Sequence, residues 1–99
     1  METEKVITPR QLSLERLDLS QQYSEYAGML ARLLKVEADF FNQNRSKHKS
    51  DNATQKAFEA TTDGISMNAI KIKLRSIDKR ISAIAMHFKL LENEAKNIY

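Results

Sequence analysis

A heptad repeat in the last third of the chain constrains the fold more than any other feature of the sequence. Apolar residues recur there in alternating steps of three and four positions. This spacing places them along one side of an α-helix, whereas a strand would alternate every second residue. Such a helix would be roughly 48 Å long, so it needs partner helices along its side. The repeat, called the seam below, consists of Met67, Ile70, Leu74, Ile77, Ile81, Ile84, Phe88 and Leu91, and continues to Ala95 and Ile98.

The composition agrees with an all-α fold. The 99 residues include only two glycines and one proline, too few for the many turns of an all-β or α/β protein. We therefore expect a single helical domain. The chain has no cysteine, which excludes disulfides, thiolate metal sites and cysteine nucleophiles.

The sequence also indicates where in the cell the protein is located. The first eight residues lack the apolar core of a signal peptide. No run of about 18 apolar residues is available to span a bilayer. We expect a cytoplasmic protein with no membrane partner.

Capping residues and a polar stretch divide the chain into two helices. Thr8, Pro9 and Gln11 form a capping-box pattern, although a start at Ser13 fits nearly as well. Ser50 or Asp51 is suited to cap the next helix. The prediction is a flexible arm at 1–8, helix 1 at 9–42, a basic loop at 43–51, and helix 2 at 52–98, which is either continuous or broken near 61–66.

Two residues interrupt the apolar stripe of helix 1. Glu37 stands where an apolar residue is due in the series that ends at Phe40. Gly28 either weakens the helix by about 1 kcal/mol or permits the close approach of a neighbouring helix. The second interpretation is favoured slightly.

A second apolar series follows helix 2 well around the helix from the seam, and it is interrupted by Ser76 and Lys79. A single antiparallel partner helix would cover the seam and leave this series in water. The sequence therefore predicts an elongated antiparallel helical hairpin that self-associates, giving a four-helix dimeric bundle. This second seam consists of Phe58, Ile65, Ile72, Met86 and Leu90, with Ala69 and Ala83 between them.

Catalysis has little support in the sequence. A nucleophile needs a neighbouring base and a third group that orients the base, and the only histidines are His48 and His87. The sequence contains no metalloprotease motif, no glycine-rich phosphate loop and no repeated di-iron motif. We expect no enzyme activity, no metal and no cofactor.

Basic residues are concentrated in the middle of the chain. The net charge is +5 over residues 41–80, compared with −2 over residues 1–40 and 0 over residues 81–99. Such clusters can neutralise phosphates, although they carry no stacking aromatic residues and also suit a solvated helix surface. The candidate contacts to nucleic acid or an acidic partner are Arg45, Lys47 and Lys49 in the loop and Lys71, Lys73, Arg75, Lys79 and Arg80 on helix 2.

One resemblance covers about the last half of the chain. The run from Ile70 to Ile84, with the ending from Leu91 to Tyr99, resembles small all-helical accessory proteins of bacteriophages and prophages. The resemblance brings no catalytic residues. It implies a protein that acts in the host cytoplasm on a host or phage protein, or on DNA.

Together these observations predict a non-catalytic protein–protein interaction module, a phage-encoded adaptor or inhibitor of a host factor that also forms a homo-oligomer. The alternative is a nucleic-acid-binding accessory protein of phage recombination or replication, which would use the two basic clusters.

Overall fold

The computed structural model describes residues 8–97, and this part of the chain is all-helical. Its elements are α1 (Pro9–Asn44), a 3₁₀ turn (Arg45–Lys47), α2 (Asp51–Glu59) and α3 (Thr62–Asn97). The molecule is elongated, with dimensions of 68 × 34 × 21 Å. The predicted all-α, elongated fold is confirmed. The predictions for residues 1–7 of the arm and for Ile98 lie outside the described residues.

Helix α1 begins at the capping box and not at Ser13. The Thr8 hydroxyl accepts a hydrogen bond from the Gln11 amide at 3.2 Å, and the Gln11 side chain accepts one from the Thr8 amide at 2.8 Å. These bonds satisfy two donors that the first turn of a helix leaves free, so they set where α1 starts. Leu12 is buried and Leu14 is exposed because they lie on different sides of the helix.

Helices α1 and α3 run antiparallel. The Arg80 guanidinium donates to both carboxylate oxygens of Glu15, at 2.6 and 2.9 Å, across a sequence separation of 65 residues. The seam lies between the two helices: its residues from Met67 to Ile84 are buried, except for the half-buried Ile81.

The far end of the predicted seam is exposed. Phe88 is half-buried, and Leu91 and Ala95 are exposed. Leu91 lies eleven residues beyond Arg80, whereas α1 has only six residues before Glu15. Because the two helices are antiparallel, the last turns of α3 extend past the first residue of α1. Within the described residues, α1 therefore does not cover them.

The turn between α1 and α2 is organised by Ser50. Its hydroxyl accepts from the Ala53 amide at 3.1 Å and so caps α2. Its carbonyl accepts from the hydroxyl of the fully buried Thr54 at 3.1 Å. Phe58 then packs against Phe40 of α1 with ring centroids 5.4 Å apart. The predicted loop at 43–51 is shorter in the structure, since α1 continues through Asn44.

The predicted helix 2 over 52–98 is broken close to 61–66, one of the two alternatives for this segment: it forms two helices, α2 and α3, separated at Ala60 and Thr61. The Thr61 hydroxyl donates to the Phe58 carbonyl at 2.6 Å and accepts from the Gly64 amide at 3.1 Å. Thr61 therefore closes α2 and caps α3. A Cβ at Gly64 would lie 2.8 Å from the Glu59 Cα, so the close crossing requires glycine.

Gly28 has a different environment. It is exposed on α1, and a Cβ built there would meet nothing within 4 Å. The expectation that Gly28 allows close packing of a neighbouring helix is therefore wrong within the described chain.

Candidate interaction surface

The second apolar series of α3 forms a continuous exposed stripe. Ile65, Ile72, Met86 and Leu90 are each between 54% and 62% exposed. At 3.6 residues per turn the centre of this series lies about 160° around α3 from the centre of the seam. It therefore faces away from α1. We call this surface the outer stripe: Ile65, Ala69, Ile72, Ser76, Lys79, Ala83, Met86 and Leu90, all of them exposed.

Phe58 is the one member of the predicted second seam that does not lie on the outer stripe. It is 1% exposed and packs in the core against Phe40. The prediction assumed that residue 58 belongs to the same continuous helix as α3, and it therefore placed Phe58 on the same side as Ile65. The break at Ala60 and Thr61 changes the direction of the chain, so this extension fails.

The predicted basic residues divide into paired and unpaired groups. Arg80 is paired with Glu15, and the hydrogen bonds from Arg80 are the main reason that the pKa of Glu15 lies below its ordinary value. Arg45 is paired with Asp51, with nitrogen–oxygen distances of 2.9 and 3.1 Å. The other six are exposed and show no ion pair within the described residues: Lys47, Lys49, Lys71, Lys73, Arg75 and Lys79.

The two basic clusters do not form one patch. Arg80 contacts Glu15 near the start of α1, and Arg45 follows the end of the same helix. The thirty residues between Glu15 and Arg45 correspond to about 45 Å along a straight helix. Each cluster must therefore be considered as a separate surface.

The α3 cluster surrounds the outer stripe. Lys79 belongs to the stripe, Arg75 borders it on one side, and Lys73 borders it on the other. These positions follow from the 100° rotation per residue of an α-helix. The exposed surface of α3 is therefore an apolar stripe with a basic centre.

A groove of about 330 Å³ lies beside the junction of α2 and α3. The side-chain amide of Gln55 donates to Glu37 at 3.4 Å and to Glu59 at 3.3 Å within it. Glu37, the residue that interrupts the apolar stripe of α1, is thus half-buried and hydrogen-bonded across to α2. Phe58 and Met67 are buried beneath the groove, whereas Ile65 is exposed at its wall, so the accessible lining is about equally polar and apolar.

The candidate catalytic side chains do not come together. His48 lies in the α1–α2 turn and His87 lies on α3. Among residues 8–97, no three His, Asp or Glu side chains are arranged to hold a metal ion. The same part of the chain contains no helix that is long and apolar enough to cross a membrane.

Two features of the surface were not predicted from the sequence. The Glu15–Arg80 pair joins residues that no local pattern connects. Leu14 and Leu17 form a second exposed apolar patch, at 58% and 59% exposure, on the side of α1 that faces away from α3. The alternation of Leu12 and Leu14 was the only signal of that patch.

Comparison of the chain with protein-family models, curated proteins and solved structures gave no match.

Proposed function

We propose that this protein is a non-catalytic protein–protein interaction module whose main contact surface is the outer stripe of α3. The single observation that supports this function is the repeated exposure of Ile65, Ile72, Met86 and Leu90 opposite the seam. An apolar stripe that follows a helix in heptad spacing is the surface by which helices associate.

The proposal includes self-association into a four-helix dimer. Each copy supplies α1 and α3, and the two outer stripes cover each other. Because the outer stripe lies nearly opposite the seam, the four helices would lie in a row, α1–α3–α3–α1, and not at the corners of a square. This arrangement removes the exposed apolar residues of α3 from water without changing the hairpin.

We further propose that the module serves as a phage-encoded adaptor or inhibitor of a host factor. The resemblance of the run from Ile70 to Ile84 and of the ending from Leu91 to Tyr99 to phage accessory proteins supports this context. In a dimer of this kind, the apolar patch at Leu14 and Leu17 remains exposed in both copies and provides a surface for the host factor.

Light scattering after size-exclusion chromatography tests the proposed assembly. The full chain should elute with twice its mass of 11.4 kDa. Ile72→Glu places a charge in the outer stripe and should give a folded monomer. Leu17→Glu, on the opposite side of the hairpin, is the matched control and should leave the dimer intact. A chain that is monomeric at all accessible concentrations would contradict the self-association.

Nucleic-acid binding is the second candidate function, and the row Lys71, Arg75 and Lys79 favours it. These side chains are four residues apart, lie near one another on α3 and have no ion-pair partner within residues 8–97. Charge reversal at Lys47, Lys49 and Arg75 should abolish retention on DNA or heparin if these residues bind phosphates. Unchanged retention would exclude them as the binding surface.

A further inference from the structure

We infer that the second copy binds antiparallel on the outer stripe, about a two-fold axis that passes between Ile77 and Asp78. This inference rests on the proposed self-association and adds the direction and the register of the two chains. In this register, a residue of one copy faces the residue of the other copy whose number brings the sum to 155. The facing pairs are Ile65 and Leu90, Ala69 and Met86, Ile72 and Ala83, and Ser76 and Lys79.

The spacing of the outer stripe permits this symmetry. Its steps are 4, 3, 4, 3, 4, 3 and 4, which read the same in both directions. An antiparallel copy can therefore place every stripe residue opposite another stripe residue. A two-fold interface of this kind uses one surface patch on both copies.

The sizes of the side chains favour the antiparallel direction. Ala69 lies opposite Met86 of the second copy, and Ile72 lies opposite its Ala83, so in these layers a large side chain meets a small one, while Ile65 and Leu90 face each other at the two ends. Facing layers that alternate large and small residues interdigitate well. In a parallel pair at the same register, Ala69 would face Ala69 and Ile72 would face Ile72, which leaves a gap in one layer and crowds the next.

The charges favour the same direction. A parallel pair would place Lys79 directly against Lys79 of the second copy in the middle of the stripe. In the antiparallel pair Lys79 faces Ser76, and its long side chain can extend past that small residue into water. Arg75 and Lys79 of both copies still lie around the axis. The ion pair with Glu15 offsets the charge of Arg80, and Asp78 at the level of the axis offsets one more charge per copy, so one positive charge per copy remains. This residual repulsion makes the dimer sensitive to salt.

Cysteine cross-linking tests the register directly, because the native chain has no cysteine. The double variant Ala69→Cys and Met86→Cys should form a disulfide-linked dimer under mild oxidation. The two positions lie about 25 Å apart on one straight helix, so they cannot join within a chain. Both positions are exposed. Circular dichroism of each variant is the check that it remains helical.

The single variants are the matched controls. In the antiparallel register Ala69→Cys alone lies about 25 Å from its counterpart and should not cross-link. Cross-linking by this single variant would indicate parallel chains and overturn the inference. A dimeric mass with no cross-link in the double variant would overturn the register and leave the proposed self-association standing. A monomeric mass would overturn both.

Salt and charge reversal provide a second test, because they should strengthen the proposed dimer and weaken binding to nucleic acid. The dimer should tighten as sodium chloride rises from 50 to 500 mM, because the repulsion at the axis is screened. Lys79→Glu should tighten it about threefold or more at low salt, since a glutamate there attracts Arg75 of the second copy. Contacts to phosphates would instead weaken with both changes. A dimer that weakens on Lys79→Glu would contradict the proposed axis.

Discussion

The two apolar sides of α3 have the same heptad spacing, but one side is buried against α1 and the other is exposed. On the seam side, the residues from Met67 to Ile84 are large and apolar, and all of them except the half-buried Ile81 are buried. On the outer side, the stripe contains two alanines, a serine and Lys79, and it remains exposed. The spacing thus identifies surfaces that pack against helices, while the size and charge of the residues distinguish a covered intrachain core from a surface left for another chain.

The largest expected difference between the two sides is in stability. Ile84 is 1% exposed, so Ile84→Asp buries a charge without a partner and should cost more than about 4 kcal/mol. Since small domains are stable by only about 5–15 kcal/mol, this variant should lose a large part of its stability and unfold at a much lower urea concentration. Ile72→Asp, at 56% exposure, should change the free energy of unfolding of the monomer by less than about 0.5 kcal/mol.

Urea unfolding of dilute protein, followed by circular dichroism, measures both variants. Equal destabilisation by Ile84→Asp and Ile72→Asp would show that the two sides of α3 do not differ as described.

The two glycines extend the comparison to the backbone. At Gly64 an added Cβ would lie 2.8 Å from the Glu59 Cα and 2.9 Å from the Phe58 carbonyl carbon. These are backbone atoms that cannot rotate away, so Gly64→Ala should destabilise the fold by about 1–3 kcal/mol as α2 and α3 are forced apart. Thermal unfolding with far-ultraviolet detection is the measurement. A melting temperature equal to that of the wild type would mean that the crossing is looser than it appears.

Gly28→Ala should have a smaller effect of the opposite sign. The position is open on the exposed side of α1, so alanine improves helix propensity by about 0.5–1 kcal/mol without a clash. The melting temperature should rise. A fall in the melting temperature together with a loss of dimer mass would instead show that Gly28 contacts a second copy, and would move the interface from α3 to α1.

The smallest expected effect concerns the Glu15–Arg80 pair at the border of the two sides. Hydrogen bonding by Arg80 lowers the pKa of Glu15 below its ordinary value of 4.5. The unfolded chain therefore takes up a proton at Glu15 before the folded chain does. The stabilisation is present above pH 4.5 and disappears as the pH falls through the lower pKa of the folded state.

The difference in melting temperature between the wild type and Glu15→Gln should thus be small at pH 7 and vanish in acid. Both side chains are exposed, which limits the size of this difference. A difference that grows as the pH falls would contradict the assigned direction of the pKa shift.

Local and periodic features were predictable. The capping box at Thr8 and the burial of Met67, Ile70, Leu74, Ile77 and Ile84 depend on neighbours in sequence or on helical phase, and both can be read without coordinates. The exposed position of Ile65 and Ile72 was also consistent with the phase of α3. Phe58 was assigned to the wrong surface because helical phase does not continue across a break in the helix.

The sequence alone determined that this chain is helical and that α3 has two apolar sides, and it limited the start of the first helix to the capping box at Thr8 or to Ser13. These properties follow from spacing, composition and capping groups within a few residues of one another. Only the tertiary structure decided which side α1 covers, where that cover ends near Leu91, and which basic residues are paired, as Arg80 is with Glu15. These depend on the alignment of two helices that are far apart in sequence. That alignment is selected by the packing of the whole hairpin and not by any local signal.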